Sequence, residues 1–167
     1  HETGEFPNAG NPNIISPQTK SWNYTTTPIF VGAATQVRES GVAINGVKFE
    51  PGTAERVICE SGEVYSIEAV QDLLDLGLDF NNAHVQPTGE YHYHGVADLL
   101  VDVFTRDQDL VHVGFAADGH LMYYSKSDAY KSGYTIGTTP REGSNCTYTG
   151  GGPGGKKLTF GQTKDGS

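Results

Sequence analysis

The stretch Asn81-Asn82-Ala83-His84-Val85-Gln86-Pro87-Thr88-Gly89-Glu90-Tyr91-His92-Tyr93-His94-Gly95 decides the fold and holds three of the chain's six histidines. Its aromatic part, Tyr91 to His94, predicts a β-strand, in which successive side chains point to opposite faces. His92 and His94 therefore share one face. Thr88-Gly89 predicts a turn, and Pro87 suits a loop or a sheet edge. The turn returns the preceding segment and brings His84 within reach of the pair.

Two imidazoles on one strand face, with a third close by, predict a metal site. Residues two apart on a twisted strand have Cβ atoms roughly 6 to 7 Å apart, and both rings then reach one ion at about 2 Å from nitrogen. Imidazole suits zinc, copper, nickel and iron, and we expect copper or zinc. The alternative is that these are ordinary polar histidines on a solvated strand face.

Two further histidines are candidate additional ligands. His112 lies in a predicted apolar strand and joins the site if it faces inward near His92 and His94. The alternative for His112 is a hydrogen-bonded core histidine. His120 lies in the predicted turn Asp118-Gly119-His120, where Asp118 offers an oxygen and His120 a nitrogen.

The histidine stretch also resembles a known sequence signature. The run from Asn82 to Gly89 followed by Tyr91-His92-Tyr93-His94-Gly95 is similar to that of the YHYH protein family, extracellular or periplasmic domains named for this tetrapeptide. Further similar segments follow in the same order: Gly10-Asn11-Pro12-Asn13, Gly41 to Val47, Phe49-Glu50-Pro51-Gly52 with Ala54-Glu55, Asp75 to Asp79, and Val113 to Gly119. The resemblance spans roughly residues 10 to 120 and implies a metal-binding role.

The chain departs from this family pattern in two places. Relatives tend to continue Asp-Gly-Phe-Pro-Ile-Tyr-Gly where this chain reads Asp118-Gly119-His120-Leu121-Met122-Tyr123-Tyr124. Relatives often carry a second half with another Tyr-His-Tyr element, which this sequence lacks. If that half completes the site in relatives, the site here is incomplete or has a different set of ligands.

Length and composition predict one β-rich domain. The 167 residues suffice for one hydrophobic core but not for two comfortable ones, and 22 glycines with 36% hydrophobic residues favour extended segments and turns. We expect a mainly β fold, sandwich or barrel-like, with one short helix. The predicted division is an extended N-terminal arm (1–22), a β-rich domain (23–148) and a Gly-rich C-terminal tail (149–167).

Local patterns predict individual elements. Asn45-Gly46 between apolar residues indicates a hairpin over Gly41 to Phe49, and Ser66 is a plausible N-cap for a helix that ends at Gly77. Predicted strands share a richness in β-branched, aromatic or aliphatic residues; they are one or two strands within 22–38, a short strand over Glu55 to Cys59, Leu99 to Phe104, Leu110 to Phe115, and Leu158 to Phe160.

The formal net charge of −9 excludes some classes of partner. Nucleic acids and anionic lipid surfaces attract clustered Lys and Arg, which this chain lacks, whereas divalent cations are natural counter-charges. No apolar run approaches the roughly 20 residues needed to span a bilayer. The expected partner is therefore a metal ion, with self-association through the arm as a further candidate.

Cysteines and sequons favour an extracellular or cell-surface location, with the periplasm as an alternative. Cys59 and Cys146, the only cysteines, predict one long-range disulfide, and two buried free thiols are the alternative. Asn23-Tyr24-Thr25 and Asn145-Cys146-Thr147 match the acceptor sequence for N-glycosylation, at Asn23 and Asn145.

Three functions from different classes fit this sequence. The first is an extracellular, non-enzymatic metal-binding module. The second is a structural subunit of an extracellular fibre, in which the β-prone stretch Trp22 to Val31 of one copy pairs with a sheet edge of the next. The third is a zinc hydratase or hydrolase, since Tyr-His-Tyr-His with His112 resembles the three-His zinc site of α-carbonic anhydrases; Glu90 and Asp118 are its acid or base candidates.

Overall fold

The computed structural model describes residues 2–33, 35–70, 74–127, 129–133, 135 and 144–148, and the backbone of 158–160. Within these residues the chain forms ten strands and one helix. In chain order they are β1 (Gly41–Ala43), β2 (Lys48–Phe49), β3 (Arg56–Cys59), β4 (Val64–Ser66), β5 (Ala83–Val85), β6 (Tyr91–Tyr93), α1 (Asp98–Phe104), β7 (Leu110–Ala116), β8 (Leu121–Ser125), β9 (Cys146–Tyr148) and β10 (Leu158–Phe160). The prediction of a β-rich domain with one short helix is confirmed.

The strands form two open sheets. The larger sheet has the order β5-β6-β2-β1-β7-β8, and the smaller has the order β10-β9-β3-β4. Neighbouring strands are antiparallel, except that β2 runs parallel to β6 with Phe49 opposite Tyr93. This parallel pairing joins two hairpins, β1–β2 and β5–β6, that are distant in sequence. It places the histidine-bearing hairpin at one end of the larger sheet.

Several predicted elements are present where the sequence placed them. The hairpin around Asn45-Gly46 is β1–β2, and Gly46 has a φ of 85°, which suits a residue without a Cβ. The predicted strands over Glu55 to Cys59, Leu110 to Phe115 and Leu158 to Phe160 correspond to β3, β7 and β10. The turn at Asp118-Gly119 closes the β7–β8 hairpin, with Gly119 N donating to Ala116 O.

The helix predicted to start at Ser66 is wrong. Ser66 ends β4, opposite Arg56 of β3, and residues 67–70 and 74–77 contain no helix; residues 71–73 lie outside the described chain. The apolar residues of this segment serve two separate contacts instead of one helix face. Ile67 packs into the core of the smaller sheet, while Leu76 is buried beside His84.

The strand predicted over Leu99 to Phe104 is also wrong, because this segment is the helix α1. A short apolar run fits a buried strand and a buried helix equally well on periodicity alone. Here Leu100 and Val101 face the larger sheet while Val103 is exposed, and Asp98 occupies the first turn, where its charge suits the helix dipole.

The strands predicted within 22–38 are absent from the described residues of that segment, 22–33 and 35–38. The apolar residues there are mostly exposed, including Ile29, Phe30 and Val31. A β-prone sequence becomes a strand only when a neighbouring strand satisfies its backbone groups. In this chain no described strand takes that place beside it.

Two clusters of buried side chains stabilise the sheets. The first lies between α1 and one face of the larger sheet, and it consists of Ala43, Phe49, Ala83, Tyr93, Ala97, Leu100, Val101, Val111 and Val113. The second belongs to the smaller sheet and contains Val57, Ile67, Tyr148 and the disulfide-bonded Cys59 and Cys146. The predicted disulfide is thereby confirmed, and it joins directly paired residues of β3 and β9.

The N-terminal segment runs along the β5–β6 hairpin without forming a strand. The side-chain amides of Asn11 and Asn13 both donate to Val85 O, and Ser16 N donates to Gly89 O. Because β5 is the edge strand of its sheet, these bonds cover an edge that would otherwise be open. Among the described residues, no helix has the length and apolar character needed to cross a membrane.

Candidate metal centre

The β5–β6 hairpin brings His84, His92 and His94 together. His84 on β5 lies directly opposite His92 on β6, and His94 follows two residues later on the same face. The turn between the strands contains Gly89, whose φ of 82° is a conformation that glycine adopts readily. The Nε2 atom of His94 lies 3.0 Å from that of His92 and 3.0 Å from that of His84. The structure therefore confirms the predicted convergence of these three side chains.

Backbone carbonyls orient each of the three rings from behind. The Nδ1 of His84 lies 2.7 Å from Leu76 O, a hydrogen bond that requires Nδ1 to carry the proton. Longer contacts of 3.4 Å join the Nδ1 of His92 to Glu90 O and the Nδ1 of His94 to Pro51 O. Carbonyls can only accept, so this arrangement favours the tautomer with a lone pair on each Nε2. Histidine ligands of metal ions commonly donate their second nitrogen in this way.

Three convergent lone pairs repel one another unless a metal ion or a shared proton lies between them. Tetrahedral coordination at about 2.0 to 2.1 Å from nitrogen sets ligand nitrogens roughly 3.3 Å apart, so the two 3.0 Å separations are within a few tenths of an ångström of that spacing. The candidate ligand atoms of all three histidines lie within 4.8 Å of one another. This group of three imidazoles can hold one metal ion.

Burial keeps two of the three histidines, His92 and His94, in the neutral form that can coordinate a metal ion. His92 and His94 are 2% and 6% exposed, and His84 is half-buried. Burial first, and then repulsion from the neighbouring histidines, lowers the pKa of His92 to about 3 and that of His94 to about 4. Metal ions bind neutral imidazole, so neither ligand has to lose a proton at neutral pH.

A buried network of charged side chains lies on the same face of the sheet. Lys48 Nζ is 2.7 Å from Glu50 Oε2 and 3.3 Å from Glu90 Oε2, and Gln86 Nε2 donates to Glu50 Oε2 at 2.7 Å. Burial alone would raise the pKa of Glu50, but its hydrogen bonds with Lys48 and Arg38 outweigh burial and the pKa is lowered. Glu50 is therefore a carboxylate at neutral pH.

Sequence reasoning missed this network, although one signal for it was present. Lys48 and Glu50 flank Phe49 on and just after β2, so the alternation of a strand puts them on one face. That this face is also the face of His92 depends on the parallel pairing of Phe49 with Tyr93. No local sequence pattern predicts that pairing.

The other two candidate ligands lie apart from the three histidines. His112 is on β7, which is separated from β6 by β2 and β1; its Nε2 lies 3.0 Å from Gly114 O, and its ring packs against Phe115 and Tyr123. His120 is exposed in the β7–β8 turn, with Nδ1 3.1 Å from Asp118 Oδ1. Neither belongs to the group of residues that can share one ion.

The two candidate acid or base groups are also placed away from the three Nε2 atoms. The side chain of Glu90 is paired with Lys20 and Lys48, and Asp118 is an exposed turn residue beside His120. Neither carboxylate joins the histidine group.

Asn23 and Asn145, the predicted glycosylation sites, are both exposed.

Comparison with known sequence families identifies a match over most of the chain. The sequence model of a family described as YHYH protein matches residues 20–159, which include the β5–β6 hairpin and both cysteines. No curated protein and no solved structure matches the chain.

Proposed function

Since the chain belongs to the YHYH protein family, we propose that it binds one copper or zinc ion through the Nε2 atoms of His84, His92 and His94. The observation that carries this proposal is the convergence of three imidazole nitrogens whose opposite nitrogens face backbone carbonyls. Imidazole ligands suit both metals. Metal binding without catalysis is the simplest function that this arrangement supports.

Metal analysis of the purified protein tests the proposal. We expect about one equivalent of copper or zinc after reconstitution and dialysis, and loss of that metal in the His92→Ala/His94→Ala variant. The variants His112→Ala and His120→Ala are matched controls, because they remove histidines that lie outside the group. Retention of the metal by the double variant, with its fold verified by circular dichroism, would contradict the proposal.

We place this function outside the cytoplasm. The Cys59–Cys146 disulfide supports this location, because disulfides persist mainly in oxidising compartments. The exposed positions of Asn23 and Asn145 are compatible with N-linked glycans. Mass spectrometry of native protein before and after enzymatic deglycosylation tests for the glycans and for the disulfide. A native protein without glycans and with two reduced thiols would contradict the proposed location.

A second candidate function is that of a structural subunit in an extracellular fibre. Its support is the segment Ile29-Phe30-Val31, whose residues are 77%, 93% and 72% exposed, since three consecutive apolar residues in water favour a protein contact. Strand β8 is the last strand of the larger sheet among the described residues, with Leu121 and Tyr123 half exposed, and an edge strand of this kind can pair with a strand of a second copy. Residues 2–22, in contrast, are already bonded to their own chain.

Electron microscopy and sedimentation of the metal-loaded protein test this second candidate. We expect concentration-dependent oligomers that disappear in the variant Ile29→Ser/Phe30→Ser/Val31→Ser. Val37→Ser is the matched control, because Val37 is an exposed apolar residue outside the triplet. A strictly monomeric protein at high concentration would rule out this contact.

A further inference from the structure

The three-histidine centre, formed by His84, His92 and His94, has fewer protein ligands than zinc or copper usually takes. Zinc and copper sites in proteins usually have four or more ligands. Within the part of the chain that the structure describes, no carboxylate or thiolate joins the three imidazoles in a group that can share one ion. Both cysteines of the chain are consumed by the Cys59–Cys146 disulfide. The described histidines, cysteines, aspartates and glutamates therefore supply three ligands to this centre and no fourth.

The acidic side chains on the same face are already engaged by cations. Glu50 pairs through Oε1 with Arg38 and through Oε2 with Lys48, at 2.7 Å. Glu90 Oε2 pairs with Lys20 at 3.0 Å and with Lys48 at 3.3 Å. A carboxylate that moved to the metal would deprive Lys48, whose side chain is only 3% exposed, of one of the three carboxylates that balance its buried charge. That loss is costly, so these pairs hold the carboxylates away from the metal.

The ion-pair network is also balanced in charge. It contains three cations and three anions, which are Lys20, Arg38, Lys48, Glu39, Glu50 and Glu90. The three histidines are neutral ligands. A divalent ion therefore adds two positive charges to a largely buried site that holds no negative charge of its own. Buried charge is unfavourable unless it is paired.

From this shortage of ligands and of negative charge, and on the basis of the proposed function, we infer that the metal centre binds a small monovalent anion from solution as an additional ligand. The anion completes the coordination and halves the excess charge. Hydroxide, a halide or a pseudohalide has the required size and charge. The half-buried His84 marks the more open side of the group, whereas His92 and His94 are buried.

Visible spectroscopy of the Co²⁺-substituted protein tests this inference, because the d–d bands of Co²⁺ respond to a change of ligand. We expect sodium azide at millimolar concentrations to shift these bands with saturation at one azide per cobalt, and sodium perchlorate at the same ionic strength to leave them unchanged. Bound cobalt whose spectrum ignores azide would overturn the inference while leaving metal binding intact. Failure to bind cobalt, zinc or copper would instead overturn the proposed function.

Arg38 offers a second test of the role of charge. Its side chain is 74% exposed and pairs with the buried Glu50, so Arg38→Gln removes one positive charge from the network with little risk to the fold. We expect the affinity of the cobalt protein for azide to fall by a factor on the order of five in Arg38→Gln, and to stay unchanged in Arg38→Lys. Equal azide affinities in wild type and Arg38→Gln would show that the charge balance does not govern anion binding.

Discussion

The buried imidazoles make the stability of the metal-free protein depend on pH. In an unfolded chain a histidine has a pKa near 6.5, whereas in the folded protein the pKa is about 3 for His92 and about 4 for His94. Between these values the unfolded state binds more protons, so the contribution of these two histidines to the free energy of unfolding falls as the pH falls below 6.5 and levels off below about 3 to 4. Each histidine contributes up to about 1.4 kcal/mol per pH unit. Urea unfolding of metal-free protein at pH 7.5, 6.5, 5.5 and 5.0 measures this slope.

The variant His92→Gln/His94→Gln is the control for this prediction, since glutamine does not titrate. Above pH 5 the lowered pKa of Glu50 adds little to the slope, because that carboxyl stays ionised in both states. We expect the double variant to lose most of the pH dependence between 6.5 and 5.0. An equally steep slope in the variant would mean that the two histidines are not buried in their neutral form.

At the scale of single residues, the sequence predicted the convergence of His84, His92 and His94 but not the surroundings of these side chains. The alternation of a strand suffices to put His92 and His94 on one face, and the Thr88-Gly89 turn suffices to return His84. The carbonyl of Leu76 behind His84 has no local signal in the sequence. Strand alternation puts Lys48 and Glu50 on one face, but it does not show that this is the face of His92. His112 is a candidate because it lies in a predicted apolar strand, but strand order separates that strand from β6.

At the scale of elements, the β5–β6 hairpin depends on its turn. Gly89 has a φ of 82° and lies against Ser16 of the N-terminal segment, so Gly89→Ala both strains the backbone and collides with Ser16. Gly46, in the β1–β2 turn, has a similar φ of 85° but open space around it. We expect Gly46→Ala to cost about 1 kcal/mol of stability from backbone strain alone, and Gly89→Ala to cost clearly more, as measured by thermal unfolding. Equal losses would mean that contact with the N-terminal segment does not stabilise the hairpin.

Elements that are encoded by a local sequence signal were predicted correctly, whereas elements that depend on contacts with distant segments were not. Asn45-Gly46 and Thr88-Gly89 encode their hairpins locally, and both hairpins are present. The segments after Ser66 and from Leu99 were assigned the wrong structure, because both are short apolar stretches whose conformation depends on the surface they cover. Leu99 to Phe104 became a helix that covers the larger sheet, and Ile67 became a core residue of the smaller one.

At the scale of the whole molecule, each of the two sheets has its own buried cluster, and the hairpin with His84, His92 and His94 belongs to the larger sheet. The larger sheet has apolar side chains on the face that packs against α1 and the histidines on the opposite face. The smaller sheet is built from β3 and β4, which lie between β2 and β5 in sequence, and from β9 and β10, which follow β8. The Cys59–Cys146 disulfide joins β3 to β9. Composition alone predicted a β-rich domain but not this division, because strand order is set by pairings between distant segments.

The disulfide should therefore affect stability without affecting the metal. Cys59 and Cys146 are 87 residues apart in sequence, and in the chain-entropy model closing a loop of that length contributes about 4 to 5 kcal/mol. That is a large share of the roughly 5 to 15 kcal/mol that stabilises a typical domain. We expect Cys59→Ser/Cys146→Ser to lower the denaturation midpoint strongly, while the fraction that stays folded at low temperature keeps one metal per chain. Metal content is measured on the folded fraction after size-exclusion chromatography. Loss of metal from correctly folded variant would show that the smaller sheet helps to position His84, His92 and His94.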